Sequence, residues 1–213
     1  MILYLVKLIT NYIIKKNNII LINTNIWYTL IVIIYVRRKI KMATIDVMIT
    51  EEEIAKKVNE IAKQIEKDYE GEELLVVGIL KGASVFVSDL IRKINLDVNI
   101  DFMSVSSYGK GMESSGTVRI LKDLDVDIAG KNVLIVEDII DSGLTLSNLV
   151  KELQIRNPKS LKLCTLLDKP ERRTCNIPVD YVGFVIEDKF IVGYGIDWAE
   201  KYRNLPYIGS VTV

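Results

Sequence analysis

The chain has 213 residues, 28 Lys and Arg against 28 Asp and Glu, and no histidine. The missing histidine excludes Ser-His-Asp and Cys-His catalysis and histidine metal ligands, so chemistry must come from carboxylates, Lys, Tyr, backbone groups or metal-bound phosphate. The two cysteines, Cys164 and Cys175, lack Cys-x-x-Cys spacing and fit a reducing, cytoplasmic setting.

The zero net charge conceals a division. Residues 1–41 contain seven basic residues (Lys7, Lys15, Lys16, Arg37, Arg38, Lys39, Lys41) and no Asp or Glu. Residues 42–213 therefore hold 21 basic against 28 acidic residues, a net −7. That balance argues against nonspecific nucleic-acid binding. Ile, Asn, Lys and Tyr fill 26 of the first 41 positions. Three readings compete for this extension. It is an upstream-start artefact or a dispensable extension, with Met42-Ala43-Thr44 as an ordinary start. It is a membrane anchor, with Ile19–Val36 as the span and Arg37–Lys41 holding the domain in the cytoplasm. Or it is a packed arm. No small-residue cleavage site follows the apolar run, so it does not read as a secretory signal. Residues 42–213 are expected to form one domain of adequate length for its own core.

In that domain, Thr50-Glu51-Glu52-Glu53 reads as a capping box opening a helix with Ile54, Val58, Ile61, Ala62 and Ile65 on one face. Gly71 stops it. Leu74–Leu80 is a buried strand, followed by the turn Lys81-Gly82-Ala83. Ser84 is expected to cap the next helix, which runs through Val85, Leu90, Ile91 and Ile94. Val98–Val105 alternates as a strand. The glycine- and serine-rich segment Ser106–Thr117 has too few apolar residues to dock permanently, so it is expected to be a mobile loop. Val118–Leu124 returns as a strand.

The stretch Val133–Leu146 is the most informative. A branched apolar run, the mark of a doubly buried parallel strand, ends in the adjacent carboxylates Glu137 and Asp138. Asp141 follows, then the turn Ser142-Gly143-Leu144-Thr145. Helical spacing then begins (Leu146, Leu149, Val150, Leu153) and stops near Asn157-Pro158. A strand, an acidic turn and a helix N-terminus in series suit a phosphate, and the carboxylates suit a divalent cation or a ribose. Beyond it, Leu161–Leu167 is a strand ending in Asp168-Lys169-Pro170. Tyr181–Ile186 and Phe190–Tyr194 are short strands before an irregular tail. Strands alternating with helices predict an α/β domain with a parallel sheet.

Val133–Leu146 resembles the phosphoribosyl-diphosphate signature of the type I phosphoribosyltransferases. The form Glu-Asp-Ile-Ile-Asp-Ser-Gly-Leu-Thr-Leu is similar to that of the hypoxanthine (hypoxanthine-guanine) phosphoribosyltransferases, bacterial ones especially. Leu80-Lys81-Gly82-Ala83, Ser107-Tyr108-Gly109, Leu167-Asp168-Lys169, Asp188–Tyr194 and Asp197–Leu205 fall where that family has its working segments. The resemblance covers about residues 43–213 and not residues 1–41. It implies a central, mostly parallel sheet flanked by helices, with a small hood and a lid loop. It also implies transfer of ribose 5-phosphate from phosphoribosyl diphosphate to N9 of hypoxanthine or guanine, with magnesium, by a homodimer or homotetramer.

By the same resemblance, Glu137 and Asp138 face the ribose hydroxyls and favour magnesium beside an oxocarbenium-like centre. Asp141 is the candidate general base near purine N7. Asp141, Ser142, Gly143, Leu144 and Thr145 offer donors to the 5′-phosphate. Lys81 and Gly82 meet the diphosphate, and the family often has a non-proline cis peptide before this lysine. Ser107 and Tyr108 reach the diphosphate from a lid that excludes water. Lys169 bonds the oxygen on purine C6, which disfavours adenine because an amino group there would present donors to a donor. Phe190 stacks on the base, and the backbone of Ile191 reads its edge. Asp197 binds magnesium partly through water and lies close to the purine base, and Arg203 contacts the diphosphate. Two departures from the family pattern leave the chemistry intact: Leu144 stands where some relatives have lysine, and Trp198 where tyrosine is common. A nucleotide-sensing RNA-binding regulator on the same fold is a competing reading, though it expects a basic face. A xanthine-preferring transferase stays open.

Overall fold

The computed structural model describes residues 44–107 and 118–212. The extension 1–41 and most of the expected lid, with Tyr108, lie outside the described residues. Nine strands, three α-helices and one 3-10 turn are described. Strands β2 (Leu74–Leu80), β3 (Val98–Ser107), β4 (Val118–Lys122), β5 (Asn132–Ile140), β6 (Ser160–Asp168) and β7 (Tyr181–Val185) form one sheet in the order β4-β3-β2-β5-β6-β7. All neighbours are parallel except β3 and β4. The result is the mostly parallel α/β sheet that the alternation implied.

Helices cover both faces, which is why the central strands are apolar throughout. On one face α1 (Glu51–Asp68) and α2 (Ser84–Ile91) pack on Leu74, Val76, Leu134 and Val136. On the other, α3 (Leu144–Gln154) sets Leu146, Leu149 and Leu153 against Val77, Val133 and Ile135. The α1 capping box is present: Glu53 N–H donates to Thr50 Oγ1 at 3.2 Å, and Thr50 N–H donates to Glu53 Oε2 at 2.8 Å. A second, three-stranded sheet, in the order β1-β9-β8, supplies the hood from β1 (Thr44–Ile49), β8 (Ile191–Val192) and β9 (Ile208–Thr212). Among the described residues no helix is long and apolar enough to cross a membrane.

Several expectations need correction. Ser84 does not cap α2. It is the first helical residue, and Ala83 before it is already in the right-handed region with no side-chain cap bond. The turn after β2 therefore runs directly into the helix, with Val87 N–H donating to Ala83 O. Strand β5 does not end at the carboxylates. It continues to Ile140, so Glu137 and Asp138 are strand residues. Ser106 and Ser107 belong to β3 and pair with Arg119 and Val118. The strand expected at Phe190–Tyr194 is reduced to Ile191–Val192, because Gly193 (φ 102°) and Tyr194 (φ 48°) leave the extended region.

Candidate active site

Parallel pairing places the carboxyl ends of β3, β2, β5 and β6 side by side on one edge of the sheet. Ligands of open α/β sheets sit at that edge. The chain leaves it at Ser107, the last residue of β3, and through Lys81-Gly82 after β2, Asp141 after β5 and Lys169 after β6. Four separate sequence segments thus become neighbours in a fixed order.

Successive strand residues point to opposite faces, so the two adjacent carboxylates do different things. Glu137 faces the α3 side and lines a cavity of about 160 Å³ with Ile140, Asp141, Gly143 and Thr145. Its Oε2 is buried with no hydrogen-bond partner among the described residues. Asp138 faces the turn after β2. A Cβ on Gly82 would lie 1.7 Å from Asp138 Oδ2, so only glycine fits there. The peptide between Leu80 and Lys81 is cis, as the family resemblance implied. Burial pushes the Glu137 carboxyl well above the ordinary carboxylate range, and the Asp138 charge adds to the effect. Burial also raises Asp138, but the Ile139 N–H, a hydrogen bond with the neighbouring Glu137 carboxyl and the Arg203 charge pull it partly back.

Two buried carboxylates, one with an oxygen that nothing satisfies, need hydroxyl donors or a cation. The all-oxygen donor set fits magnesium, which binds through one or two carboxylates and completes its shell with water and substrate oxygens. Among the described residues no three acidic or cysteine side chains converge as a metal cluster. The expected trio of Glu137, Asp138 and Asp197 is therefore not gathered around one point, and Asp197 is engaged elsewhere. Its Oδ1 meets Arg203 Nη2 at 2.6 Å, and its Oδ2 accepts from Glu200 N–H at 2.8 Å.

The turn after β5 presents an uncapped helix N-terminus. Gly143 precedes α3 in the left-handed region (φ 76°), and no side chain caps the first turn. Leu144 N–H donates to Ser142 Oγ at 3.4 Å from within the loop. Open N–H groups with the hydroxyls of Ser142 and Thr145 make an anion seat beside Glu137. Cys175 packs behind it, 3.3 Å from where a Gly143 Cβ would lie.

Beside it, the diphosphate candidates gather around a turn of positive φ. Lys81 Nζ lies 3.1 Å from Glu200 Oε2, and Arg203 Nη2 lies 3.8 Å from the same oxygen. Arg203 also donates to Gly195 O at 2.7 Å. Gly195 (φ 101°) approaches Gly82 so closely that a Cβ would fall 2.0 Å from the Gly82 carbonyl. The 193–203 segment is thereby held against the turn after β2. Ser107 ends β3, two strands from Asp141; its side chain and Tyr108 are outside the description.

The purine candidates sit on the other flank. Lys169 is 7% exposed, and its Nζ donates to Lys189 O at 2.5 Å and lies 3.4 Å from Asp188 Oδ1. Phe190 is 53% exposed, its ring centroid 5.8 Å from that of Trp198 in a T-shaped pair, and Trp198 is stacked on Tyr202. A large aromatic left open next to a buried lysine is suited to a flat, polar-edged ligand. Ile191 is buried in β8, where its backbone pairs with Ser210. Asp141, beyond the end of β5, accepts from Arg172 Nε at 2.9 Å.

Sequence reasoning singled out neither Arg172 nor Glu200, although both lie in quoted segments or directly beside them. Arg172 follows Lys169 by three positions, and Glu200 lies between Asp197 and Arg203. Nothing in spacing alone distinguishes them from surface charges.

Comparison with known proteins shows the family to which the chain belongs. Residues 48–198 match the phosphoribosyl transferase domain family. The hypoxanthine phosphoribosyltransferase of Escherichia coli (strain K12) is 54% identical over 170 residues, 79% of this chain and 96% of that protein. A crystal structure of a hypoxanthine-guanine phosphoribosyltransferase from Bacillus anthracis superposes with a TM-score of 0.76 at 60% identity, over 78% of this chain and 98% of that one. A hypoxanthine phosphoribosyltransferase from Staphylococcus aureus gives a TM-score of 0.76 at 49% identity, over 84% and 95%. Identity at this level across nearly the whole length of the relatives places the chain among the phosphoribosyltransferases, in the hypoxanthine phosphoribosyltransferase family.

Proposed function

We propose that the protein transfers ribose 5-phosphate from phosphoribosyl diphosphate to N9 of hypoxanthine or guanine, giving IMP or GMP and diphosphate. The observation that carries the base assignment is the buried Lys169 ammonium beside the open face of Phe190. Its Nζ is tied to Lys189 O, which fixes it next to the stacking residue. A held donor pairs with the C6 oxygen of a 6-oxopurine and opposes the C6 amino group of adenine. The backbone of Ile191 reads the remaining edge.

The α3 N-terminus with Ser142, Gly143, Leu144 and Thr145 takes the 5′-phosphate. Glu137 and Asp138 accept from the ribose 2′- and 3′-hydroxyls and stabilise positive charge growing on C1′. The C1′–O bond to diphosphate breaks with its electrons on the diphosphate, toward Lys81, the Gly82 turn and Arg203. The N9 lone pair forms the new bond to C1′, and the proton on N7 passes to Asp141. Ser107 and Tyr108 close the site from the lid and exclude water. Glu137 and Asp138 are the residues that would hold magnesium, which would supply neutralising charge to the diphosphate oxygens when bound; Asp197, tied to Arg203, is not gathered with them.

Residues 42–213 are the catalytic unit in this proposal, a cytoplasmic homodimer or homotetramer, and 1–41 are a dispensable extension, or an anchor if membrane-associated. The test is a steady-state panel of hypoxanthine, guanine, xanthine and adenine with phosphoribosyl diphosphate and magnesium, run beside an RNA-binding titration. Turnover of hypoxanthine and guanine with adenine inert is expected. Xanthine as the best base would replace the substrate assignment. Tight RNA binding without purine turnover would replace the enzyme assignment with a regulator.

A further inference from the structure

We propose that Arg172 is a positioning residue that fixes the general base Asp141 relative to the purine-reading Lys169. The proposal rests on the base and lysine assignments above. Four alternating charges run in a line from one to the other. Lys169 Nζ lies 3.4 Å from Asp188 Oδ1. Asp188 Oδ2 lies 3.4 Å from Arg172 Nη1, and Arg172 Nε lies 2.9 Å from Asp141 Oδ1. Arg172 is thus the shared partner of the base and of the carboxylate that pairs with the lysine.

The backbone beneath this line is fastened at three points. Lys169 N–H donates to Ile140 O at 3.0 Å, Arg172 N–H to Lys169 O at 3.1 Å and Thr174 N–H to Ser142 O at 3.0 Å. Arg173 forks onto Asp168 at 3.0 and 2.9 Å, pinning the 3-10 turn Pro170–Arg172. The guanidinium therefore projects from a fixed platform, not a wandering loop.

The chemistry explains why such a link matters. O6 and N7 of a 6-oxopurine lie on the same edge. Lys169 reads the first and Asp141 takes the proton from the second, so their separation must match that edge. Asp141 is 49% exposed on its side chain and would otherwise sample several rotamers. With Oδ1 held by Arg172, Oδ2 has no partner among the described residues and is left for N7. An ion pair this exposed adds little to stability, so loss of Arg172 should be felt in geometry. Misplacement of a reacting group by about 1 Å can cost on the order of 100-fold in rate.

The experiment is a double-mutant cycle in the full-length protein: Arg172→Gln, Arg172→Lys, Asp141→Asn and the double variant Arg172→Gln/Asp141→Asn. Single-turnover rate, KM for each substrate and melting temperature are measured. Arg172→Gln is expected to lower the chemical rate by roughly 10- to 100-fold, leaving KM for phosphoribosyl diphosphate and the melting temperature near those of the parent. Arg172→Lys should restore part of the rate, as a point charge lacking the rigid fork. In the Asp141→Asn background, Arg172→Gln should have little further effect, because the group it positions is gone. A rate unchanged by Arg172→Gln, or losses that multiply in the double variant, would overturn the positioning role. A rate unchanged by Asp141→Asn would instead overturn the base assignment, so the two failures are distinguishable.

Discussion

Gly82→Ala is the sharpest test of how the site is assembled. The added Cβ would sit 1.7 Å from Asp138 Oδ2, 2.6 Å from its Cγ and 3.3 Å from its Oδ1. An ordinary carbon–oxygen contact needs about 3.3 Å, so the closest approach is roughly 1.6 Å too short. Neither side gives way easily. Asp138 is buried, and its Oδ1 accepts from Ile139 N–H at 2.7 Å. The turn cannot retreat, since Gly82 O already rests against Gly195. Overpacking of this kind costs about 1–3 kcal/mol. Spent on the geometry of the diphosphate turn and the Asp138 carboxylate, that corresponds to a roughly 5- to 150-fold loss in kcat/KM for phosphoribosyl diphosphate. The assay varies phosphoribosyl diphosphate at saturating hypoxanthine, with Gly71→Ala as a control. Gly71 has positive φ (75°), and nothing lies within 4 Å of its Cβ position. Gly71→Ala should cost about 1–2 kcal/mol of stability through backbone strain and leave kcat/KM alone. A Gly82→Ala enzyme within twofold of the parent would refute the reasoning that the turn and Asp138 are packed together.

Three other outcomes are expected. Phe190→Ala should raise KM for hypoxanthine by about 2- to 13-fold, the equivalent of 0.5–1.5 kcal/mol of stacking; because the ring is 53% exposed, the melting temperature should barely move. Glu200→Gln removes the carboxylate that holds Lys81 and approaches Arg203, so KM for phosphoribosyl diphosphate should fall by up to about fivefold, the value of an exposed ion pair of at most ~1 kcal/mol; a higher KM would mean that Glu200 serves the bound substrate. Arg156 forks onto Asp123 at 2.8 and 3.0 Å and holds that carboxyl below its ordinary range. The stability from this pair is present above the unfolded Asp pKa of about 4 and is lost as pH falls through the lower folded value. Arg156→Ala should thus cost at most about 1 kcal/mol at pH 7, discounted for half-exposed Asp123, and the denaturation difference from the parent should vanish in acid.

Elements with strong local patterning were legible from the sequence, and those that depend on distant partners were not. Strand β2 is Leu74–Leu80 in both readings, because an unbroken apolar run bounded by turn residues leaves few options. The α1 cap was readable because Thr50 and Glu53 satisfy each other within one turn. β1 and β9 went unrecognised. Their sequences, TIDVMI and IGSVT, carry weak periodicity, and they exist as strands through pairing in the small sheet. The extension of β5 beyond Val136 was missed for a related reason. Two adjacent carboxylates look like a loop until Thr165 of β6 pairs with Glu137 and the strand is held by its neighbour.

The candidate site divides in the same way. Motif residues after β2, β5 and β6 could be picked out in advance because each follows a buried strand, and the sheet order then made them neighbours. The opposite facing of Glu137 and Asp138 follows from strand alternation once β5 is known to include them. Contacts made by long side chains across the fold were not readable. Arg172 reaches Asp141 from 31 positions away, and Lys81 meets Glu200 from 119 positions away. Gly82 was legible as a close-approach glycine, but its partner Asp138 was not, since that contact joins two strands through the tertiary fold.

The most direct test of the central assignment is product formation by the purified full-length protein. Hypoxanthine, phosphoribosyl diphosphate and magnesium are combined, and IMP and diphosphate are quantified in the same samples. The account predicts the two products in a one-to-one ratio, with formation abolished when either substrate is omitted. Hydrolysis of phosphoribosyl diphosphate without IMP, or no consumption of hypoxanthine, would contradict it.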